Sequence, residues 1–372
     1  MSKRMLVTST DLMMIQFLVP HVKYLSEHGW KIEVACSPVG DRIEEVRRAL
    51  DGISSVHVVH LYRNPAKPGN LHGYRELRRL IQSGSWDVIW TNEPVMGVMT
   101  RLAAQTARRA GTRVVYMVHG FHFYEGAPKR NWMIYYPIER EMSRFTDTIV
   151  TINHEDYDRA GRMHAGNVKY IHGIGVDTSR LHRSGGCCNI RQEIGVDEDA
   201  FIVLSVGELM PRKNQEVIIK ALGILQDEDI HYVLCGKGDR LAYLQELADN
   251  EKVAGQVHFL GYRKDVLDFY SQADILAFPS RREGLGLAGL EAMYCGLPIV
   301  SSNINGLRDY MENGKTGYIF ATDDAQGFAE GIRLLKESPS LREECGAYNR
   351  KAVAPFCLEY VKDEIINIFE EL

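Results

Sequence analysis

Short β-rich runs alternate with helical patterns along nearly the whole sequence, and this alternation limits the fold more than any other feature. In the first half the runs fall at 5–8, 31–36, 56–61, 88–91, 114–118, 148–152 and 168–171. Helical patterns at 15–28, 43–51, 73–83 and 95–110 lie between them, the first holding Pro20, which predicts a kink or a later start. In the second half the runs fall at 202–206, 231–235, 257–260, 275–278, 299–301 and 317–319, with helices at 214–225, 241–250 and 288–295. Strands joined by helical crossovers build parallel sheets covered on both faces. A chain of 372 residues exceeds one ordinary domain. The expectation is therefore two doubly wound α/β domains facing each other across a cleft. The flexible Ser184-Gly185-Gly186 divides them into 1–185 and 186–357. An amphipathic helix at 358–372 comes too late to complete the second sheet, so it is expected to return to the first domain.

Charge is divided between the halves. Residues 1–185 hold 25 Lys and Arg against 18 Asp and Glu, and the remainder 19 against 31. The basic half lacks the dense stripe of a nucleic-acid binder and suits an anionic partner such as a phospholipid surface. Apolar stretches are short, the one at 12–19 being broken by Gln16, so no transmembrane helix is expected. No A-x-A cleavage site follows the N-terminus, and the sequence reads as mature cytoplasmic protein. Seven cysteines include no C-x-x-C pair, only the adjacent Cys187 and Cys188, which fits buried thiols in a reducing compartment.

Four loops at carboxyl ends of second-half strands carry the chemistry: Gly207-Glu208-Leu209-Met210-Pro211-Arg212-Lys213-Asn214, Gly236-Lys237-Gly238-Asp239, Gly261-Tyr262-Arg263-Lys264-Asp265, and Arg282-Glu283-Gly284-Leu285-Gly286-Leu287-Ala288-Gly289-Leu290-Glu291. Ligands of open α/β sheets bind at such ends, so the loops converge on one crevice. Arg212 and Lys213 can clamp phosphate oxygens. The glycines let backbone N–H groups approach an anion at a helix start. Glu283 and Glu291 are eight residues apart, about 12 Å along a helical path, which suits two ends of one extended ligand better than a hydrolase pair. Gly284, Gly286 and Gly289 also spell G-x-G-x-x-G, but in a late βα unit and without the following acid of a dinucleotide site. Asp197-Glu198-Asp199 and Asp227-Glu228-Asp229 precede strands and read as solvated loops, not as a metal–diphosphate site.

These loops, in this order and spacing, resemble a family 4 glycosyltransferase with the GT-B fold of two Rossmann-like domains. The likeness spans nearly the whole chain and is strongest over 202–320. His119-Gly120-Phe121-His122-Phe123 and Tyr136-Pro137-Ile138-Glu139 resemble the bacterial exopolysaccharide and capsule branch. The resemblance implies a retaining transfer of sugar from a nucleotide diphosphate donor, by branch a UDP-sugar, to a saccharide acceptor linked to lipid diphosphate. It implies no essential metal or other cofactor. Lys213, helped by Arg212, matches the diphosphate contact, and Glu291 the ribose ligand. Glu283 with the backbone from Gly284 through Leu285 and Gly286 to Leu287 matches the sugar and phosphate contacts. Tyr262 and Arg263 match the nucleobase edge, and His119 the active-site histidine. His122, with Met13 and Met14 of the first βα loop, is assigned to the acceptor side. The sequence departs from the family at Glu208, where many members carry Arg, and in that first loop, which is not glycine-rich.

No double-displacement nucleophile is evident, so the expected course is front-face substitution. The leaving diphosphate takes the acceptor's proton, while Lys213 and the helix start near Gly284 stabilise the developing charge. His119, Glu283 and Lys213 are the expected catalytic set. The aromatic and basic stretch from Gly126 to Pro137 suits an interfacial element, although a core helix with a basic edge fits nearly as well. Three other readings stay open: a nucleotide-sugar 2-epimerase of the same fold, an NAD-dependent oxidoreductase, and an idle nucleotide-sugar-binding subunit.

Overall fold

The computed structural model describes residues 2–10, 12–38, 43–181 and 189–372, apart from the side chains of Leu12, Met13 and Arg180. The chain forms two compact units, Met1–Ile174 with Glu359–Leu372, and Gly175–Leu358. The division falls at Ile174, whereas Ser184-Gly185-Gly186 lies outside the described residues, as do Cys187 and Cys188.

The first unit holds a sheet of seven strands: β1 (Arg4–Ser9), β2 (Lys31–Cys36), β3 (Ser55–Val58), β4 (Val88–Asn92), β5 (Arg113–Val118), β6 (Thr148–Thr151) and β7 (Asn167–Tyr170). Their order is β3-β2-β1-β4-β5-β6-β7, every pair parallel. The second unit holds β8 (Phe201–Val206), β9 (Ile230–Cys235), β10 (Val257–Gly261), β11 (Ile275–Phe278), β12 (Ile299–Ser302) and β13 (Gly317–Phe320), in the order β10-β9-β8-β11-β12-β13, again all parallel. Helices on both faces leave the central strands no solvent side. Every residue of β4 is buried, as are the first five of β8, which is why these strands open on apolar runs, Val88-Ile89-Trp90 and Phe201-Ile202-Val203-Leu204, with polar Thr91, Asn92 and Ser205 buried only toward the carboxyl ends. In each unit the strand order reverses beside the first strand, between β1 and β4 and between β8 and β11. Loops leaving those strands form the crevice where such sheets take ligands.

Three elements depart from the sequence pattern. β3 ends at Val58 because the chain turns back, Leu61 N–H donating to Val59 O at 2.9 Å. Val59 and Leu61 are apolar because they pack on Leu77 and Ile81 of the helix Asn70–Ser83, not because they extend the strand. The helix Leu12–Glu27 starts before the expected position and runs through Pro20. The single helix expected over 95–110 is two, Pro94–Ala103 and Gln105–Arg109.

The final helix, Leu358–Glu370, lies almost entirely in the first unit. Its Phe369 ring packs on Trp90 at 5.2 Å and on Trp30 at 6.1 Å. Its Glu364 meets His172 Nδ1 at 2.6 Å. The segment with the mixed aromatic and basic composition forms the helix Lys129–Met142. Its Glu139 is buried against Arg101 of the helix Pro94–Ala103, Nη2 to Oε2 2.8 Å, and accepts from the Tyr116 hydroxyl at 3.2 Å. Arg101 also lies over the Tyr116 ring at 4.0 Å.

Candidate active site

In the second unit, Gly207 follows β8, and its φ of 150° and closeness to Lys213 suit glycine: a Cβ there would lie 3.3 Å from Lys213 Cε. The chain then makes a 3₁₀ turn, Pro211–Lys213, and enters the helix Glu216–Leu225. Asn214 takes the left-handed conformation between them and donates to Pro279 O at 3.0 Å and Thr322 O at 2.7 Å, so the turn is fastened to the loops after β11 and β13. Arg281 N–H donating to Arg212 O at 2.8 Å adds a second fastening.

Across this seam Lys213 Nζ meets Glu283 Oε1 at 2.7 Å. Arg212 Nη1 lies 3.4 Å from both Glu283 oxygens, and Ser280 Oγ donates to Oε1 at 2.8 Å. The Glu283 side chain is only 8% exposed and that of Lys213 14%, so the pair sits in a poorly screened setting. Glu208, at the position where many members of the family carry Arg, lies 3.7 Å from Arg212, so this acid draws on the Arg212 charge. Lys213 and Arg212 therefore converge with Glu283, rather than standing apart for phosphate with Glu283 directed only to a sugar.

Glu283 lies in the loop, and the helix begins at Leu287 and carries Glu291. The continuous helical path assumed between the two glutamates is thus not present; an irregular glycine segment occupies its first half. Gly286, with φ 89°, is the N-cap of that helix and supplies no side-chain cap, and the first amides of a helix are not bonded within it. Gly289 allows close packing, since a Cβ would fall 2.3 Å from the Tyr310 hydroxyl oxygen. Glu291 accepts from the Tyr270 hydroxyl at 3.1 Å, and burial with the neighbouring Glu291 charge holds that phenol well above its ordinary pKa. Tyr262 exposes 64% of its surface in the loop after β10. Arg263 is committed elsewhere: it pairs with Asp265 at 2.6 Å and Glu193 at 2.7 Å and lies over the Phe269 ring. These contacts make it a brace for the loop that presents Tyr262.

In the first unit, His119 follows β5, and its Nε2 lies 2.9 Å from Asn92 Oδ1 at the end of β4. Asn92 Nδ2 donates to Thr8 O at 3.4 Å, which turns its carbonyl oxygen toward the ring. His119 therefore carries its proton on Nε2 and offers the Nδ1 lone pair. Burial lowers its pKa to about 4, so the imidazole is neutral near pH 7. The loop behind it is fixed by Phe121 stacked on Phe123 at 4.6 Å, by Phe123 against Tyr136 at 5.3 Å, and by Asp156 Oδ2 accepting Phe121 N–H at 3.1 Å. His122 is set apart, its ring on Tyr135 at 4.8 Å and its carbonyl accepting from Asn131 at 2.8 Å. Met14 is partly buried in the first helix, and the Met13 side chain lies outside the described residues.

The family described as Glycosyl transferases group 1 matches residues 188–352, and the Glycosyl transferase 4-like domain matches 20–172. EpsD of Bacillus subtilis (strain 168), named a glycosyltransferase, is 33% identical over 99% of this chain and 97% of its own length. The chain belongs to this glycosyltransferase family. An Escherichia coli relative named UDP-Gal:alpha-D-GlcNAc-diphosphoundecaprenol alpha-1,3-galactosyltransferase is 24% identical, covering 87% of this chain and 85% of that protein. The crystal structure of Anabaena Alr3699/HepE in complex with UDP covers both chains fully with a TM-score of 0.83 and 20% identity, a match of the GT-B fold. The oxidoreductase reading of G-x-G-x-x-G falls with these matches. In this glycosyltransferase Gly286 and Gly289 let the helix start pack close to Phe278 and Tyr310.

Sequence reasoning missed four side chains of the glycosyltransferase's candidate site. Ser280 and Asn305 support Glu283, Asn305 by accepting the Glu283 backbone N–H on Oδ1 at 3.4 Å. Asn92 sets the His119 tautomer. Glu93 has φ 65° and ψ 155°, a region that side chains seldom occupy, and accepts from Ser9 Oγ at 2.6 Å and Thr10 N–H at 2.8 Å. The rule that marked His119, position just past a strand's carboxyl end, would also have marked Asn92 and Glu93.

Proposed function

We propose that this glycosyltransferase transfers a sugar with retention from a UDP-sugar to a saccharide linked to lipid diphosphate, in the assembly of a bacterial surface polysaccharide. The observation that carries the reading is the convergence of Lys213, Arg212 and Glu283 at the β8/β11 switch point, next to the helix start at Leu287. Two cations and an amide-bearing helix end suit a diphosphate, and a carboxylate held among them suits the hydroxyls of the sugar beyond it. The named activity of the Escherichia coli relative and the UDP complex of the Anabaena protein favour a uridine donor and a lipid-linked acceptor.

On this reading Lys213 and the helix amides stabilise charge on the leaving diphosphate as the glycosidic bond to it breaks. That phosphate takes the acceptor's proton while the acceptor oxygen bonds the anomeric carbon from the same face, with no essential metal. His119 Nδ1 accepts a hydrogen bond from a sugar hydroxyl, Glu291 binds ribose and Tyr262 meets the base. A thermal-shift panel with UDP, GDP, ADP, NAD and UDP-sugars tests the donor, since a ligand at about 100 times its Kd stabilises the native state by about 2.7 kcal/mol. A rise selective for UDP and one UDP-sugar is the expected result. Equal shifts from all nucleotides, or none from UDP, overturn the assignment. Conversion of the UDP-sugar without acceptor would instead favour the epimerase.

The same proposal includes peripheral contact with anionic membrane through the helix Lys129–Met142. Met133 is 77% exposed, Ile134 54% and Ile138 45%, on a helix that opens with Lys129 and Arg130. Its opposite side is anchored by Glu139, so the exposed face can meet headgroups without unfolding the unit. No described helix is long and apolar enough to cross a membrane. Co-sedimentation with phosphatidylglycerol vesicles is expected for the native protein and is expected to fall sharply in Met133→Glu/Ile134→Glu. Equal sedimentation of the two proteins, or none of the native one, refutes the contact.

A further inference from the structure

We propose that His60, His72 and Glu76 form a site for one divalent transition-metal ion of the zinc class in the first unit. His72 and Glu76 lie one turn apart on the helix Asn70–Ser83, and His60 comes from the segment that follows β3. His72 Nε2 is 3.0 Å from Glu76 Oε1, and His60 Nδ1 is 3.1 Å from each Glu76 oxygen. One ligand atom from each of the three residues can be chosen so that all lie within 4.8 Å of one another. Donor atoms around tetrahedral zinc, at bonds of about 2.0–2.1 Å, are about 3.3–3.4 Å apart. Closing on an ion therefore asks for shifts of a few tenths of an ångström between Glu76 and each imidazole, and for the two imidazole nitrogens, which lie within 4.8 Å, to approach by up to about 1.4 Å through rotation of these exposed side chains.

The frame that holds these atoms is rigid. His60 N–H donates to Glu76 Oε2 at 2.8 Å, the outer-shell support that orients a ligating carboxylate. Helix and segment touch backbone to backbone at Gly73, where a Cβ would fall 2.3 Å from His60 O. Asn70 accepts from Tyr62 N–H at 2.7 Å, so the segment is tied on both sides of Leu61. Two imidazoles and one carboxylate suit zinc, cobalt, nickel or copper, and not magnesium or calcium, which prefer oxygen alone. The side chains of His60 and His72 are 50% and 66% exposed, so an ion can enter from solvent and keep a water as its fourth ligand.

The site would act on the segment that carries it. Three residues beyond His60, Arg63 Nη2 lies 3.8 Å from Glu93 Oε1 at the end of β4. A bound ion would pin the base of the segment that reaches Glu93 and, through Glu93, the Ser9–Thr10 turn. The site stands apart from the Lys213 cluster in the second unit, so its failure would leave the donor assignment untouched.

The test uses tag-free full-length protein stripped with a chelator, titrated with Zn²⁺ by calorimetry and with Co²⁺ by absorption. The expected result is one ion per chain with cobalt bands of nitrogen and oxygen ligation. His60→Ala/His72→Ala should weaken binding at least ~10-fold, and Glu76→Gln, which keeps a hydrogen-bonding group in place, should do the same. With no metal added, the Tm of Glu76→Gln should stay near that of the native chain. Absence of saturable binding below about 100 µM ion overturns the proposal, as do cobalt bands of thiolate ligation. Undiminished binding in both variants also overturns it, because the ion would then be held elsewhere.

Discussion

Lys213→Ala is expected to lower kcat/KM for the UDP-sugar by about 10²–10³-fold, the usual cost of removing one preorganised group that stabilises a developing oxyanion. Two effects combine. On the proposed donor reading the diphosphate loses the cation held over Gly207, and Glu283 loses its 2.7 Å partner while it stays buried. Arg212 at 3.4 Å and Ser280 at 2.8 Å remain on Glu283, so the fold should survive with only a modest fall in Tm. Calorimetric titration with UDP separates the terms, because UDP affinity depends on the cation whether or not transfer occurs. A double-mutant cycle with Glu283→Gln should be strongly non-additive, since the two side chains act on each other before they act on a ligand. Native UDP affinity in Lys213→Ala would move the diphosphate site elsewhere.

Arg101→Ala or Glu139→Ala should each destabilise the first unit by about 3–5 kcal/mol, because either leaves an uncompensated charge in the interior. The Arg101 side chain is fully buried and that of Glu139 is 6% exposed, with Gly97 O accepting from Arg101 Nε at 2.9 Å. For a unit of this size the Tm of its transition should fall by about 2–4 °C per kcal/mol. Replacing both residues together, Arg101→Met with Glu139→Leu, should recover most of the loss, as apolar pairs of similar volume often equal a buried ion pair. Differential scanning calorimetry of the three variants decides it. Loss from the single changes below about 1 kcal/mol, or no recovery in the double one, would show that the pair is solvated in practice. The pair joins the helix that starts after Glu93 to the helix that packs on the His119 loop. Its removal should therefore also weaken activity at temperatures where the protein is still folded.

Much of the architecture was legible because buried parallel strands are apolar along most of their length. β4, β5, β8 and β11 announce themselves in this way, and glycines mark the loops that follow β5, β8 and β11. The helix Lys129–Met142 was ambiguous for a physical reason: its exposed side is as apolar as its packed side, so no amphipathic period separates them. In the site, residue types were readable and partnerships were not. Lys213 and Glu283 are 70 residues apart, and nothing local says that they meet. The pairing of Arg263 with Asp265 and Glu193 was equally hidden, Glu193 lying 70 residues away. The strained backbone of Glu93 leaves no trace in composition, since glycine, the residue that would signal it, is absent there.

The return of the last helix orders events during synthesis. A ribosome releases this chain from its amino end, so β8 to β13 and all their crossovers emerge before Phe369 can reach Trp30 and Trp90. The half that begins first is thus completed last. Until then its nascent sheet must wait with an indole-lined groove open to water, the kind of surface that holding chaperones recognise.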